Sequence, residues 1–291
     1  MTASTLFFSF FLFLPNVLPA QGDSKEAAKP SPSSSFPKLH FEQGKIVVGD
    51  HLATIDLPEG ARYLQKKGAK FVVEKLWGNP PSDDLLGFIL PKGESLKDQN
   101  SWGIVVSFEN DGYINDDDAS EMDFDEMLLQ MQKDEAEVNE QRKKKGYPTI
   151  HLVGWAERPH YDSKTKKFYW AKEFEFEGEK DHTLNYNIRC LGRRGVLVLS
   201  AVSTMDRLKD VSTGSRAILS GVNFTEGNRY SDYVSGDKVA AYGIGALIAG
   251  KLALKAGLFK VLLKPLLILG AVVIGLFAKM FGKKKVKPVA E

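Results

Sequence analysis

Cysteine is almost missing from this chain: Cys190 stands alone in 291 residues. A single cysteine excludes any intramolecular disulfide and any zinc site built on cysteines. The folded part must therefore be held by its core. Histidine is also scarce, with His40, His51, His151, His160 and His182, and none falls at the H-E-x-x-H spacing that sets two imidazoles on one helical face. There is no G-x-S-x-G elbow and no G-x-x-x-x-G-K-[ST] phosphate loop. Gly243-Ile244-Gly245 begins like a dinucleotide fingerprint but lacks the third glycine and lies in an Ala-rich stretch rather than after a strand. We therefore expect no cofactor and assign no catalytic residue. Basic residues are missing too from the first 24 positions.

What is present is concentrated at the two ends. Val261 to Phe281 is an apolar block, VLLKPLLILGAVVIGLFAKMF, followed by Lys283, Lys284, Lys285 and Lys287. As a helix it would extend about 31 Å, the thickness of a hydrocarbon core, with Lys264 and Lys279 reaching opposite headgroup layers. We expect a transmembrane helix over residues 261–281 and a basic cytoplasmic tail over 282–291, because lysine-rich flanks stay on the cytoplasmic side. At the other end, Leu6 to Leu14 has the length of a signal-peptide hydrophobic region, and Leu18-Pro19-Ala20 precedes a polar stretch. Residues 1–20 are read as a signal peptide despite the missing basic flank. Residues 21–38, rich in Pro and Ser, are read as a linker with too little apolar surface to fold. These readings place the main domain, residues 39–235, outside the cytoplasm.

Charge agrees with that division. The chain is formally +2. Setting aside the nine lysines and one glutamate of residues 251–291 leaves 30 basic and 36 acidic residues, a formal −6. An acidic body argues against nucleic acid as a partner, since neutralising phosphates takes clustered Lys and Arg. The lipid bilayer is the expected partner of the basic tail. Another envelope protein is a second candidate.

Within the body, Lys45–Val48 and Leu52–Leu57 read as a hairpin, and Ala61–Trp77 as helical, stopped by Gly78-Asn79-Pro80-Pro81. Leu86–Leu90 and Trp102–Phe108 read as strands. Asp123–Lys145 is the clearest helix, with Asp123 as its cap, acids leading and bases trailing. Two hairpins follow: Thr149–Glu157 with Lys167–Glu177, and His182–Leu191 with Gly195–Val202. Met205–Gly221 reads as a helix and Asn223-Phe224 as a last strand. The class is α+β, an antiparallel sheet with packed helices. Residues 236–260 read as a juxtamembrane amphipathic helix, whose Gly245/Ala249 and Ala246/Gly250 pairs would permit self-association through the C-terminal helices.

Several unusual motifs occur in one order: Leu76-Trp77-Gly78-Asn79-Pro80-Pro81, Asp111-Gly112-Tyr113-Ile114, Val153-Gly154-Trp155-Ala156, Pro159-His160-Tyr161-Asp162, Leu191-Gly192-Arg193-Arg194-Gly195 and Arg229-Tyr230-Ser231-Asp232-Tyr233. In these the chain resembles the family of uncharacterised, membrane-anchored bacterial proteins called domain of unknown function 2167. The resemblance runs from Lys45 to the C-terminus. It implies an envelope protein with no assigned reaction, so no catalytic residue is carried over. More loosely, the Leu57-Pro58-Glu59-Gly60 opening, a central helix, antiparallel strands and a late helix resemble PsbP-like sandwiches.

Two sets of residues are candidates for function. Carboxylates crowd residues 109–126, and Asp111, Asp116 and Asp118 are the candidate metal ligands. Set against an EF-hand loop, however, the segment puts Ser107 where the first Asp belongs, and helix N-terminal acids placed by the dipole explain it more simply. The second set is a recognition surface of Trp155, His160, Tyr161, Trp170, Arg193 and Arg194, residue types that recur at binding sites. The expected function is a binding or scaffold module. The alternative is an envelope hydrolase or metal-dependent enzyme using the acidic segment and the His160 region.

Overall fold

The computed structural model describes residues 37–98, 100–120, 122–144 and 148–249. The expected signal peptide, nearly all of the linker, the transmembrane helix and the basic tail lie outside these residues. Among the described residues no helix is long and apolar enough to cross a membrane.

The chain enters through a hairpin of β1 (Lys45–Val48) and β2 (Ala53–Asp56). Next comes β3 (Arg62–Gln65), then a short helix α1 (Lys66–Lys70) that runs into a π-helical turn over Phe71–Leu76. The expected helix over 61–77 is therefore half right. Its first part is a strand because Tyr63 and Leu64, neighbours with opposite side-chain directions, are both fully buried, and Arg62–Gln65 pairs with β4 (Leu85–Leu90). β5 (Ile104–Glu109) precedes the long helix α2 (Phe124–Lys144). Asp123 Oδ1 accepts from the Asp125 and Glu126 amides at 2.9 and 3.0 Å, satisfying donors at the head of that helix as expected.

Four long strands follow: β6 (Ile150–Asp162), β7 (Lys167–Phe176), β8 (Thr183–Leu191) and β9 (Val196–Thr204). β6 runs past its expected end at Glu157 by means of three register shifts against β7, each a bulge that bends the strand without ending it. After a 3-10 turn at Met205–Arg207 come α3 (Leu208–Ser220), β10 (Val222–Phe224) and finally α4 (Ile244–Ala249).

Two antiparallel sheets result. The small one has order β1-β2-β10 and the large one β3-β4-β5-β9-β8-β7-β6. Strand alternation divides the side chains of the large sheet between two faces. One face carries Ile104, Val106, Ala171, Leu184, Tyr186, Ile188, Cys190, Leu197, Leu199 and Ala201, packed against Ile46, Val48 and Ile55 of the small sheet and Val211 and Ile218 of α3. The opposite face carries Phe168, Trp170, Leu191, Val196 and Val198 under α4, and Phe174 and Phe176 beside Leu128 and Met131 of α2. The fold is α+β, with few helices.

The folded body does not stop at Ser235. Tyr113 bridges to Val239, and Ile244, Ala246 and Ile248 are buried. Residues 236–249 therefore pack onto the sheet rather than forming a separate amphipathic helix, and Gly245 and Ala246 lie inside the domain.

Candidate functional site

Two polar constructions lie on the α4 side of the large sheet. The first is a clasp made by the acidic segment. Gly112 starts it in a left-handed conformation, φ +107°, which side chains rarely adopt. A Cβ there would sit 2.5 Å from the Lys238 carbonyl oxygen, so the close approach of two backbones also requires glycine. Tyr113 N–H donates to the Lys238 carbonyl at 2.8 Å, and Ala240 N–H donates to the Tyr113 carbonyl at 2.8 Å. Asp116 accepts at Oδ2 from the Tyr161 hydroxyl and the Lys166 ammonium, each at 2.5 Å, and at Oδ1 from the Tyr230 hydroxyl at 2.9 Å. Burial raises the pKa of Asp116, but these three hydrogen bonds and the Lys166 charge outweigh it and hold the carboxyl below its usual range. Asp118 spans the start of α4, accepting from the Ile244 and Gly245 amides at 3.1 Å each. Asp111 accepts from the Tyr242 hydroxyl.

The three carboxylates weighed as candidate metal ligands are directed at Tyr242, Tyr230 and the Ile244–Gly245 amides of the C-terminal segment. Among the described residues no group of three His, Cys, Asp or Glu is placed to hold a metal ion. Tyr113 completes the clasp by stacking on Tyr230 and Tyr233, with centroids 4.4 and 4.3 Å apart.

The recognition set divides in the same way. Trp155 donates its indole N–H to the Phe124 carbonyl at 3.1 Å, Tyr161 belongs to the clasp, and Trp170 is buried in a stack with Phe168. Arg193 makes a two-point pair with Asp237, at 2.7 and 2.9 Å. Arg193 holds the Asp237 carboxyl down to about 2. Only His160 and Arg194 are exposed. They do not share a surface. His160 packs on Tyr169, whose ring lies on the small-sheet side against Tyr186, whereas Arg194 lies at the β8–β9 turn beside Asn228.

The second construction escaped sequence reasoning. Lys172 of β7 and Asn185, Asn187 and Arg189 of β8 lie on the α4 side of the sheet with Ser200 of β9, and all are buried. Lys172 is 2 % exposed and Arg189 7 %. The Lys172 ammonium donates to the Ile248 carbonyl in α4 at 2.8 Å and lies 5.6 Å from the Trp155 ring centroid. Burial, and then repulsion from Arg189, push its pKa down to about 7. Arg189 lies over Trp170, 5.1 Å from the ring centroid, and donates to the Ile188 carbonyl and weakly to Asn187. Asn187 in turn accepts from Ser200. In the sequence, Asn185-x-Asn187-x-Arg189 looks like the wet side of a half-buried strand. The usable signal was the Trp170-x-Lys172 alternation in β7, which sets a lysine on the same face as a large aromatic.

With this geometry established, comparison with known proteins decides the family. The chain belongs to the family described as Protein of unknown function (DUF2167). The model of that family matches residues 40–279. A comparison with curated proteins finds no match. Among solved structures, the cyanobacterial PsbP of Synechocystis sp. PCC 6803 is similar at 11 % identity, covering 68 % of this chain and 98 % of its own, with a TM-score of 0.35. LpqN of Mycobacterium tuberculosis, described as involved in cell envelope biogenesis, has 15 % identity, coverage of 64 % and 92 %, and a TM-score of 0.31. The Saccharomyces cerevisiae Ran-binding protein Mog1p has 8 % identity, coverage of 68 % and 100 %, and a TM-score of 0.35. Overlaps this loose carry no argument about what this DUF2167 protein binds.

Proposed function

We propose that this protein is a non-catalytic binding or scaffold module, tethered to the cell-envelope membrane through residues 261–281 with its main domain outside the cytoplasm. One observation supports this reading more than any other: the segment from Arg229 to Ala249 is stitched to the large sheet by Asp111, Asp116, Asp118 and Lys172. A tether entering the bilayer at Val261 is then separated from the folded body only by residues 250–260. Such a connection holds the domain against the membrane, which suits a module that presents a surface to a neighbouring envelope protein or to lipid. Among the described residues, the contacts of the acidic segment and of His160 do not favour the enzyme alternative. Asp116 is occupied by Lys166 and two tyrosines, and His160 lies on the other face of the sheet from Tyr161.

The test uses the full chain made in a bacterium. Alkaline carbonate washing is expected to leave it in the membrane pellet, and deletion of residues 261–281 is expected to release it. A cysteine inserted after Pro288 is expected to resist an impermeant thiol reagent in intact cells. Release of the undeleted chain by carbonate, or full labelling of that cysteine, would overturn the tether or its orientation.

A further inference from the structure

β6 is an outer strand of the seven-stranded sheet, with β7 on one side only. An outer strand exposes a row of unpaired backbone groups that invites pairing with another chain. Here Thr149 turns its carbonyl inward to Glu177, so Ile150 and Leu152 turn both their N–H and C=O groups outward. Each of these groups meets a side chain of α2. Asn139 accepts from Ile150 N–H at 3.0 Å and donates to the Ile150 carbonyl at 2.5 Å. Glu135 Oε2 accepts from Leu152 N–H at 2.7 Å, and Gln132 donates to the Leu152 carbonyl at 2.9 Å. Arg142 donates to the Pro148 carbonyl at 2.6 Å. The Asn139 side-chain amide thus offers Ile150 the acceptor and donor that an adjacent peptide group would.

The spacing explains why a helix can stand in for a strand. Alternate strand residues repeat about every 6.8 Å, so Pro148 to Leu152 extends about 14 Å. Gln132 to Arg142 on a helix extends about 15 Å at 1.5 Å per residue, and the order is reversed, as for an antiparallel neighbour. Beside this part of α2, Leu128 and Met131 pack against Ile150, Leu152, Phe174 and Phe176. The far half of β6 is protected differently, by its register shifts and by Pro159, which has no N–H to offer.

We propose that α2 is an edge guard: its residues 132, 135, 139 and 142 take the place of an eighth strand, and displacing them opens β6 to pairing with β6 of a second copy. A second copy fits because the open groups are self-complementary. With His151 on a two-fold axis, Ile150 of each chain lies opposite Leu152 of the other, and their outward N–H and C=O groups meet as two antiparallel hydrogen-bonded pairs, one on each side of the axis.

The experiment places a reporter on that axis. His151→Cys in the full chain sets two thiols opposite each other in a pair with Cα atoms about 4.5 Å apart, within disulfide range. Cys190 is buried and does not compete. Adding Gln132→Leu and Asn139→Leu removes the peptide-like partners. Mild oxidation is expected to give roughly tenfold more disulfide dimer with the two leucines than without, the ratio that about 1.4 kcal/mol supplies. Asn139→Ala alone, a gentler change, is expected to give a smaller increase on the same gel. Equal dimer with and without the helix substitutions would overturn the proposal. So would an equal increase from Lys97→Cys, an exposed loop position, since that outcome means unspecific association of a damaged fold.

Discussion

The two faces of the large sheet are built from the same four long strands but by different means. Toward the small sheet and α3 the buried residues are mostly aliphatic and aromatic, with Ser212 and Ser215 of α3 among them, and among the described residues the buried ionisable groups there are Cys190 and tyrosines. Burial pushes the Cys190 thiol up to about 12, so it behaves there as a small apolar group. Toward α4 the same strands contribute Lys172, Asn185, Asn187, Arg189 and Ser200, and the cover is fastened by carboxylates and side-chain amides. The first face gains its stability from removing area from water. The second must satisfy polar groups one by one, since an unmet buried group costs about 1–3 kcal/mol. The first kind of packing makes a fold. The second kind fixes where one particular segment lies, here the segment that leads from the sheet toward residue 261.

The comparison can be broken most forcefully on the apolar face. Leu199→Ala, at a residue 1 % exposed, is expected to cost about 2–5 kcal/mol, read as a lower midpoint in chemical denaturation without a change of slope. On the other face, Lys172→Met should stabilise, by about 1–4 kcal/mol, the range found when buried ionic groups are replaced by apolar ones. The sign follows from linkage. The folded pKa of Lys172 lies near 7, below the ordinary 10.5. Between these values the unfolded chain binds the proton more, so the cost of burying Lys172 falls as pH rises. The gain from Lys172→Met is therefore full below about pH 7 and shrinks toward 10.5; parallel melts at pH 6.5, 8 and 9.5 would show it. A pH-independent difference would mean the ammonium is not desolvated.

Asp116→Asn removes the charge from the centre of the clasp and is expected to cost about 1.5–3 kcal/mol, the range for hydrogen bonds to charged groups. Faster proteolysis between Tyr230 and Ala249, with the strands still protected against amide exchange, would locate the loss. Because the folded pKa of Asp116 is depressed, its contribution is present above pH 4 and is lost as pH falls through the folded value. Smallest of all, Arg194→Ala, exposed at a turn, should change stability by under about 0.5 kcal/mol. A larger loss in a melt would show that the Arg194–Asn228 contact contributes to folding.

Much of this molecule was legible from local rules. The helix capped by Asp123, the two long hairpins with β6 cut short, the small strand at Asn223-Phe224 and the α+β class follow from alternation, turn residues and helix-end charges, all effects that act within a few residues. The strand at Arg62–Gln65 was not legible, because it exists only through pairing with Leu85–Leu90, and the composition of Ala61–Trp77 suits a helix. Nor was the use of the polar groups. Nothing near Asp116 in the chain says that Tyr161, Lys166 and Tyr230 will converge on it. Nothing near Asn139 says that it faces a backbone edge. The acidic run and the aromatic residues were singled out as unusual from the sequence, but only the structure shows that Asp111, Asp116, Asp118, Trp155 and Tyr161 bond to other parts of the same chain.

The sequence by itself determined the order and type of most elements, the family, and the division into an acidic body and a basic, apolar C-terminal stretch. Those properties depend on residue type and short spacing. Only the tertiary structure decided that residues 236–249 belong to the body, that Lys172 and Arg189 are buried, and that α2 lies along β6. Each of these depends on pairing groups far apart in the chain, and such a pairing becomes favourable only when the sheet has brought them into a site where water is excluded.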